Sequence, residues 1–214
     1  MSLPIPHQHQ PRAMQPFIGP LALARGRVHE FCGPSRRALA AMLMAQTTGP
    51  VIWALPAWQA ERIYPCGLES FADPRRVIWA LCRQPLDLLW SAEEVLRSGA
   101  APLMVVECLS PPGLTPVRRL HLAAEAGTEL AGHRGGAGGG VAPMAVLLTP
   151  GDGGAAGVET RWQMAPRAGM GSMTPWADEG PPQRHWHLRR LRARMEPVAG
   201  WTVTRTGREI SLDG

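Results

Sequence analysis

The sequence contains no lysine, and all 22 of its basic residues are arginine. This absence excludes mechanisms that depend on a lysine amine, namely Schiff-base formation, pyridoxal anchoring and the lysine of a phosphate-binding loop. Codon bias in a GC-rich genome also produces arginine in place of lysine. The absence constrains the chemistry of the chain whichever origin applies.

Cysteine pairs and long apolar runs are also missing. The four cysteines, Cys32, Cys66, Cys82 and Cys108, form no CxxC pair, which disfavours a zinc site or a dithiol redox motif and predicts free thiols in a reducing compartment. The longest apolar run, residues 38–45, is too short to cross a bilayer, and no signal peptide is recognisable. We therefore expect a soluble cytoplasmic protein without membrane contacts.

The net charge of +5 is unevenly distributed along the 214 residues. Residues 1–37 and 161–214 each carry a net charge of +4, whereas residues 38–160 carry −3. Basic ends around a near-neutral centre favour an anionic partner such as nucleic acid, although a solvated charged surface is the commoner explanation.

Strands and helices alternate through the first two thirds of the chain. Apolar runs and helical periodicity predict strands at residues 27–31, 51–55, 77–82, 103–109 and 144–149, and helices at residues 35–46, 85–98 and 115–126. This alternation is typical of βαβ crossovers, so we predict an α/β fold with a mostly parallel central sheet flanked by helices.

The C-terminal third has a different pattern. Strands are predicted at residues 160–164, 185–194 and 201–205 without helices between them. Such strands pair antiparallel, and we expect them to extend one edge of the sheet.

The predicted organisation is one domain with an N-terminal arm. Residues 1–24, with repeated Pro and Gln, indicate a flexible arm, and residues 25–214 form the domain. Within it, the Gly-rich residues 127–140 and residues 166–183 are predicted to be flexible loops.

A strand followed by a Gly-Pro turn and a helix is the arrangement of a phosphate-binding loop. Such a loop needs inward-facing backbone N–H groups, a lysine on the phosphates and a hydroxyl on magnesium. Residues 38–40 (Ala-Leu-Ala) stand where the second glycine, the lysine and the Ser/Thr belong. The degenerate pocket retains Gly33, Pro34, Ser35, Arg36 and Arg37. We favour a tight turn without a ligand over a divergent ATP site in which an arginine replaces the lysine.

Glu107 lies in the predicted strand at residues 103–109, near the end where an acid that positions Mg²⁺ is expected. The alternative is that it only marks the emergence of the strand into solvent. Because no magnesium-binding hydroxyl is present, we favour that alternative. We assign Glu107 to the degenerate pocket and expect no enzyme activity and no cofactor, with ATP and magnesium as the competing hypothesis.

The densest basic cluster surrounds a tryptophan near the C-terminus. It comprises Arg184, Trp186, Arg189, Arg190, Arg192 and Arg194. Guanidinium groups beside an aromatic ring suit a nucleic-acid backbone and stacked bases. A solvated edge strand explains the cluster equally well, and an acidic protein partner is a third interpretation. His185 and His187 have no Cys, Asp or Glu within five residues, so we predict surface positions and no metal site.

Several short segments resemble the RecA recombinase core. They are residues 62–64 (RIY), 67–68 (GL), 77–82 (VIWALC), 84–85 (QP), 96–100 (LRSGA) and 104–107 (MVVE). The chain is more similar to the ImuA family of RecA-like proteins, which are encoded with a mutasome of error-prone DNA polymerases. The matching segments are residues 26–31 (GRVHEF), 89–100 (LWSAEEVLRSGA), 118–126 (RRLHLAAEA), 160–162 (TRW), 186–190 (WHLRR) and 200–203 (GWTV).

This resemblance implies a RecA-like, P-loop-type core and a role in SOS-induced mutagenesis. Its implied partners are ImuB (a catalytically degenerate Y-family polymerase), a C-family error-prone polymerase and RecA. Single-stranded DNA is a further implied ligand. Nucleoid association is then an alternative to a free cytoplasmic location. Some members are described as resembling SulA, a cell-division inhibitor, which supplies the alternative function.

Departures from the recombinases bear on activity. The acid that activates water would fall near residues 56–57 (Pro-Ala), where none is present. The segments that match the DNA-binding loops, residues 110–113 and 150–157, contain no basic residue. The polymerisation helix has no counterpart in the arm. We therefore expect an accessory protein that neither hydrolyses ATP nor forms filaments or exchanges strands by itself.

Overall fold

The computed structural model describes residues 13–134, 140–167, 183–194 and 196–214. Its strands are β1 (Met14–Ile18), β2 (Leu21–Ala24), β3 (Val28–Cys32), β4 (Val51–Pro56), β5 (Val77–Cys82), β6 (Leu103–Glu107), β7 (Met144–Leu148), β8 (Thr160–Arg167), β9 (Gln183–Ala193), β10 (Ala199–Thr206) and β11 (Glu209–Asp213). Its helices are α1 (Arg36–Ala45), α2 (Pro65–Glu69), α3 (Pro85–Ser98) and α4 (Leu114–Arg134), with a 3₁₀ turn at Pro74–Arg76. No helix in these ranges has the length and apolar character needed to span a bilayer.

Nine strands form one sheet, in the order β11-β10-β9-β8-β3-β7-β6-β4-β5. Neighbours from β8 to β5 are parallel, and neighbours from β8 to β11 are antiparallel. The predicted α/β fold is confirmed at this level: a mostly parallel sheet, flanking helices and C-terminal antiparallel strands. The two halves differ because β9, β10 and β11 follow one another without the crossover helices that parallel pairing requires.

Helices cover the two faces of the parallel half and create two cores. On one face, α1, α2 and the β1–β2 hairpin enclose a core that includes Phe31, Trp53 and Trp162. On the other face, α3 and α4 pack over a second core that includes Val106 and Leu120. The second core does not extend over β9, β10 and β11, and those strands contribute only to the first.

Local sequence signals account for α3, whose predicted bounds are confirmed. Pro85 occupies the first helical position, where its missing N–H is not needed. Gln84 and Asp87 form a reciprocal capping box at the N-terminus. Gly99 ends the helix in the left-handed region at φ 61°.

The predicted flexible arm over residues 1–24 is wrong for residues 14–24. In this segment β1 and β2 pair antiparallel as a hairpin. Phe17 and Leu23 are buried in the core that contains α1. The Gln15 amide also donates a 2.7 Å hydrogen bond to the backbone carbonyl that follows α1. Apolar burial offsets the entropy of ordering this segment. Residues 1–12 lie outside the described residues.

Helix α4 continues past Gly127, where the sequence predicts a helix end. A Cβ atom at this position would lie 1.8 Å from the Leu96 carbonyl oxygen of α3. The glycine therefore permits the close approach of two packed helices and does not act as a C-cap.

Parts of the two predicted flexible loops belong to regular secondary structure. The segment at residues 127–140 is helical as far as Arg134, and residues 135–139 lie outside the description. Residues 166–183 begin within β8 and end in β9, and residues 168–182 between them are not described. The flexibility of the undescribed parts stays a prediction.

Strand β5 is the exposed edge of the sheet, although its apolar run predicts burial on both faces. Ile78 is 54% exposed and Leu81 is 46% exposed. An edge strand has one neighbour, here β4, so half of its backbone polar groups face away from the sheet. An apolar run indicates a strand but does not reveal its place in the strand order.

His29 on β3 is buried in a hydrogen-bonded chain that the neutral imidazole completes. Its Nε2 lies 2.9 Å from the Ala24 carbonyl oxygen, and its Nδ1 lies 2.8 Å from the Thr160 hydroxyl. The Trp162 indole N–H donates to the same hydroxyl at 2.8 Å. The hydroxyl is then free to donate to Nδ1, while Nε2–H donates to the carbonyl. Burial lowers the pKa of His29 from 6.5 to about 4.

We expect this histidine to make the folded state acid-sensitive. The unfolded chain takes up a proton near pH 6.5, whereas the folded chain keeps His29 neutral down to about pH 4. Stability should therefore fall as the pH drops through this interval, by about 3 kcal/mol from this group. Urea unfolding of the wild type and of His29→Gln at pH 7 and pH 4.5 measures the effect. An equal pH dependence in the two proteins would contradict the assignment.

Candidate functional site

The degenerate pocket forms at the carboxyl ends of β3 and β6. Gly33, Pro34 and Ser35 make the turn between β3 and α1, Arg36 and Arg37 begin α1, and Glu107 ends β6. The structure brings Arg37 and Glu107 into contact. Arg36 instead turns back onto its own loop, where its Nη1 donates to the Gly33 carbonyl oxygen at 3.2 Å.

Glu107 is buried, at 5% exposure, so its predicted emergence into solvent is wrong. Arg37 donates from Nε to both carboxylate oxygens at 3.1 Å and from Nη2 to Oε2 at 2.7 Å. The indole N–H of Trp53 donates to Oε1 at 3.0 Å, and the amide of Gln59 donates to Oε2 at 2.8 Å. Both oxygens are thus occupied by donors of the chain itself, and a divalent cation would have to displace them.

Arg37 is committed to the protein as well. A cation in the first turn of a helix faces the positive end of the helix dipole, which is unfavourable unless an anion compensates. The Glu107 carboxylate supplies that anion. Arg37 also contacts the loop after β4, where the Glu61 carbonyl oxygen accepts from Arg37 Nη2 at 3.2 Å. The guanidinium is therefore engaged on two sides before any phosphate arrives.

The backbone N–H groups of the turn are used internally. Gly33 N–H donates to the Gly151 carbonyl oxygen at 2.9 Å, and Ser35 N–H donates to the Met164 carbonyl oxygen at 3.0 Å. Gly33 has φ +84°, and a Cβ there would lie 2.6 Å from the same Met164 oxygen. Ser35 is the residue before α1, which begins one residue after the predicted start of the helix, and its side chain makes no capping hydrogen bond. This turn packs tightly against β8 and leaves these two amides unable to hold a phosphate.

A second buried carboxylate, Glu30 on β3, was not singled out by the sequence. It is fully buried, forms an ion pair with Arg161 and accepts a 2.7 Å hydrogen bond from the Thr149 hydroxyl. The N–H groups of Gly154 and Ala155 also donate to it, at 2.8 and 3.0 Å. Glu30 therefore fixes the loop between β7 and β8 to the centre of the sheet. The sequence signal for Glu30 would have been an acidic residue within a strand that is buried on both faces.

The predicted basic cluster divides between two faces of β9. Trp186 and Arg190 point into the core face and are buried. The Arg190 guanidinium lies 5.5 Å from the ring centroid of Trp162 and 5.4 Å from that of Trp201. Its Nε donates to the Pro197 carbonyl oxygen at 3.0 Å. Stacked guanidinium and indole groups are present, but they stabilise the β8–β9–β10 core and are not available to a ligand.

The remaining arginines of the cluster are exposed. Arg189 and Arg192 lie on the face of β9 opposite Trp186, and Arg194 follows the strand, 3.6 Å from Glu159. Arg184 is exposed at the start of β9, in register with Arg205. Binding of nucleic acid or an acidic partner stays a prediction, and within the predicted cluster these four arginines are the exposed ones.

Two histidines share the exposed face with Arg189. His187 is exposed, and the Nδ1 of His185 lies 3.1 Å from the Thr204 hydroxyl. Across the ranges that the structure describes, no group of three or more His, Cys, Asp or Glu side chains could hold a metal ion.

No family model matches the chain, and no curated protein matches it. Among solved structures, the crystal structure of SulA from Pseudomonas aeruginosa is similar, with a TM-score of 0.44 and 14% sequence identity. The similarity covers 58% of this chain and 98% of that chain. A likeness of this degree carries no argument about function.

Proposed function

We propose that the protein is a non-catalytic, RecA-like accessory factor in SOS-induced mutagenesis. In this role it supports error-prone translesion synthesis by contacting the Y-family-like partner ImuB, a C-family polymerase, RecA or DNA. The sequence resemblance suggests the pathway. The saturated carboxylate of Glu107 is the observation that favours a non-catalytic role.

The geometry around Glu107 opposes nucleotide chemistry for an energetic reason. A metal-bound nucleotide would have to separate Glu107 from Arg37, Trp53 and Gln59, which all donate to it. Removing one partner of a buried, hydrogen-bonded ion pair costs about 3–5 kcal/mol. The chain has no lysine to hold a phosphate, and the turn itself offers Arg36 and Arg37, which both contact the protein.

A genetic experiment tests the proposed role. Deletion of the gene should reduce damage-induced mutation to the uninduced level, and the wild-type gene should restore it. The double variant Arg37→Met with Glu107→Met removes both charges from the pocket and keeps its volume filled. If the protein is non-catalytic, this double variant should restore damage-induced mutation to the deletion strain when its cellular abundance equals that of the wild type.

Two outcomes would overturn the proposal. Failure of an abundant, folded double variant to complement would indicate that the pocket does chemistry. Unchanged mutation after deletion, together with filamentous cells on overexpression, would support the cell-division inhibitor instead.

A further inference from the structure

We propose that the open face of β8 and β9 binds the phosphate backbone of DNA, with Arg167, Arg189 and Arg192 as the principal contacts. This inference rests on the proposed function, in which DNA is one of several candidate partners, and it names the surface and the mode of contact. Arg167 was not part of the predicted basic cluster.

Strand register places the three arginines on one face. Arg189 is opposite Gln163 on β8, and Arg192 is opposite Arg161. A bulge between these pairs adds one residue to β9, so Arg192 shares the face of Arg189 despite their odd spacing. Without the bulge, Arg192 would share the core face with Arg190. The irregularity therefore adds a cation to the exposed face.

Arg167 extends the same face toward the other end of the strands. Its Nη1 donates to the Thr202 hydroxyl at 2.8 Å, and Thr202 is in register with His187. His187 is exposed beside Arg189 along β9. Alternate residues of a strand are about 6.6 Å apart, so the basic side chains follow a track roughly 20 Å long.

The acidic side chains near this track are engaged elsewhere, with two exceptions at its margin. Glu30 holds Arg161, Asp152 accepts a 2.6 Å hydrogen bond from Gln163, and Glu159 lies between Arg27 and Arg194. Asp213, in register with Thr202, and Glu209, in register with Thr206, stand on β11, two strands from β9. In the described part of the chain, the side chains of Arg189 and Arg192 make no hydrogen bond or ion pair with another residue. Their charges are available to an anion.

The chemistry of the face favours a nucleic-acid backbone without base stacking. Trp186 and Trp201 belong to the opposite, buried side of the antiparallel strands. The residues that the strand register places on the open face are Arg, His, Thr, Gln, Ala, Gly, Ser, Asp and Glu, and none of these is aromatic. Single-strand binding proteins rely on aromatic platforms, whereas arginine contacts to phosphate need only charge and reach. We therefore expect binding that is independent of sequence, with duplex DNA bound at least as tightly as a single strand.

Fluorescence anisotropy with a labelled 20-bp duplex, across a salt series, tests this surface. Four phosphate contacts, from the three principal arginines and Arg194, predict an affinity loss of about 100-fold between 50 and 200 mM salt. The triple variant Arg167→Ala, Arg189→Ala, Arg192→Ala should bind far more weakly at 50 mM salt. Its affinity should change only about 3-fold across the same range, because one contact remains.

The matched control is Arg83→Ala, Arg184→Ala, Arg208→Ala, which removes the same net charge from exposed positions outside this face. It should retain most of the affinity and the steep salt dependence. Equal losses in both variants would overturn the assignment of the face. So would wild-type binding only to an acidic peptide and to no DNA.

Failure of this inference can be separated from failure of the proposed function. DNA binding in vitro does not depend on the cellular pathway, so binding without any mutagenesis defect in the deletion strain would overturn only the proposed function. Conversely, a triple variant that complements fully although the wild type binds no DNA would overturn only the DNA-binding face.

Discussion

Replacement of Glu30 by alanine should lower the free energy of unfolding by about 3–5 kcal/mol. The side chain is fully buried on β3 and is the shared acceptor for Arg161, Thr149 and the amides of Gly154 and Ala155. Its removal leaves a largely buried guanidinium and two backbone N–H groups without their partner. Each unsatisfied group retains the cost of its desolvation.

Urea unfolding monitored by tryptophan fluorescence provides the value. Glu30→Gln should lose less than the alanine variant, since an amide oxygen can still accept from the loop but no longer carries charge. Glu94→Ala is the matched control, because its ion pair with Arg97 is half exposed and should be worth less than about 1 kcal/mol. A loss below 1 kcal/mol for Glu30→Ala would contradict the structural role assigned to this carboxylate.

Replacement of Glu107 by alanine should destabilise the protein by a similar amount, about 3–5 kcal/mol, and independently of magnesium. The loss arises because Arg37, the buried Trp53 indole and Gln59 all lose their acceptor. A carboxylate that served as a metal ligand would behave differently. Its removal would abolish stabilisation by added metal and could relieve repulsion in the metal-free protein.

Unfolding with 5 mM MgCl₂ and with EDTA separates the two roles. We expect the same loss for Glu107→Ala in both buffers. Pairing Glu107→Met with Arg37→Met should lose less than the sum of the single changes, because replacing both partners leaves no buried charge unpaired. A magnesium-dependent loss, or additive single and double changes, would contradict the account of the pocket.

Local signals in the sequence predict much of the fold. Pro85 and Gly99 define both ends of α3 through backbone preferences that act at those positions alone. The edge position of β5 and the passage of α4 through Gly127 depend on strand order and helix packing, which join residues distant in sequence. The β1–β2 hairpin was missed because Pro and Gln obscure a short apolar alternation whose partner is α1.

The candidate site was predicted only in outline. The Ala-Leu-Ala sequence at positions 38–40, in place of the residue types of a phosphate-binding loop, indicated a degenerate loop. No local pattern, however, links Arg37 with a carboxylate 70 residues away. The same limit applies to Arg190, whose core position follows from Trp162 and Trp201 on neighbouring strands. Charge density in the sequence identified the basic strand. Only the alternation of side chains and one bulge decide which of its arginines lie on the exposed face of the strand.

The central claim is that protein side chains fill the place where a nucleotide would bind. Isothermal titration of the purified chain with ATP and magnesium tests this claim most directly. We expect no heat of binding at millimolar nucleotide, for the wild type and for Glu107→Gln alike. Micromolar binding by the wild type that is lost in Glu107→Gln would contradict the account.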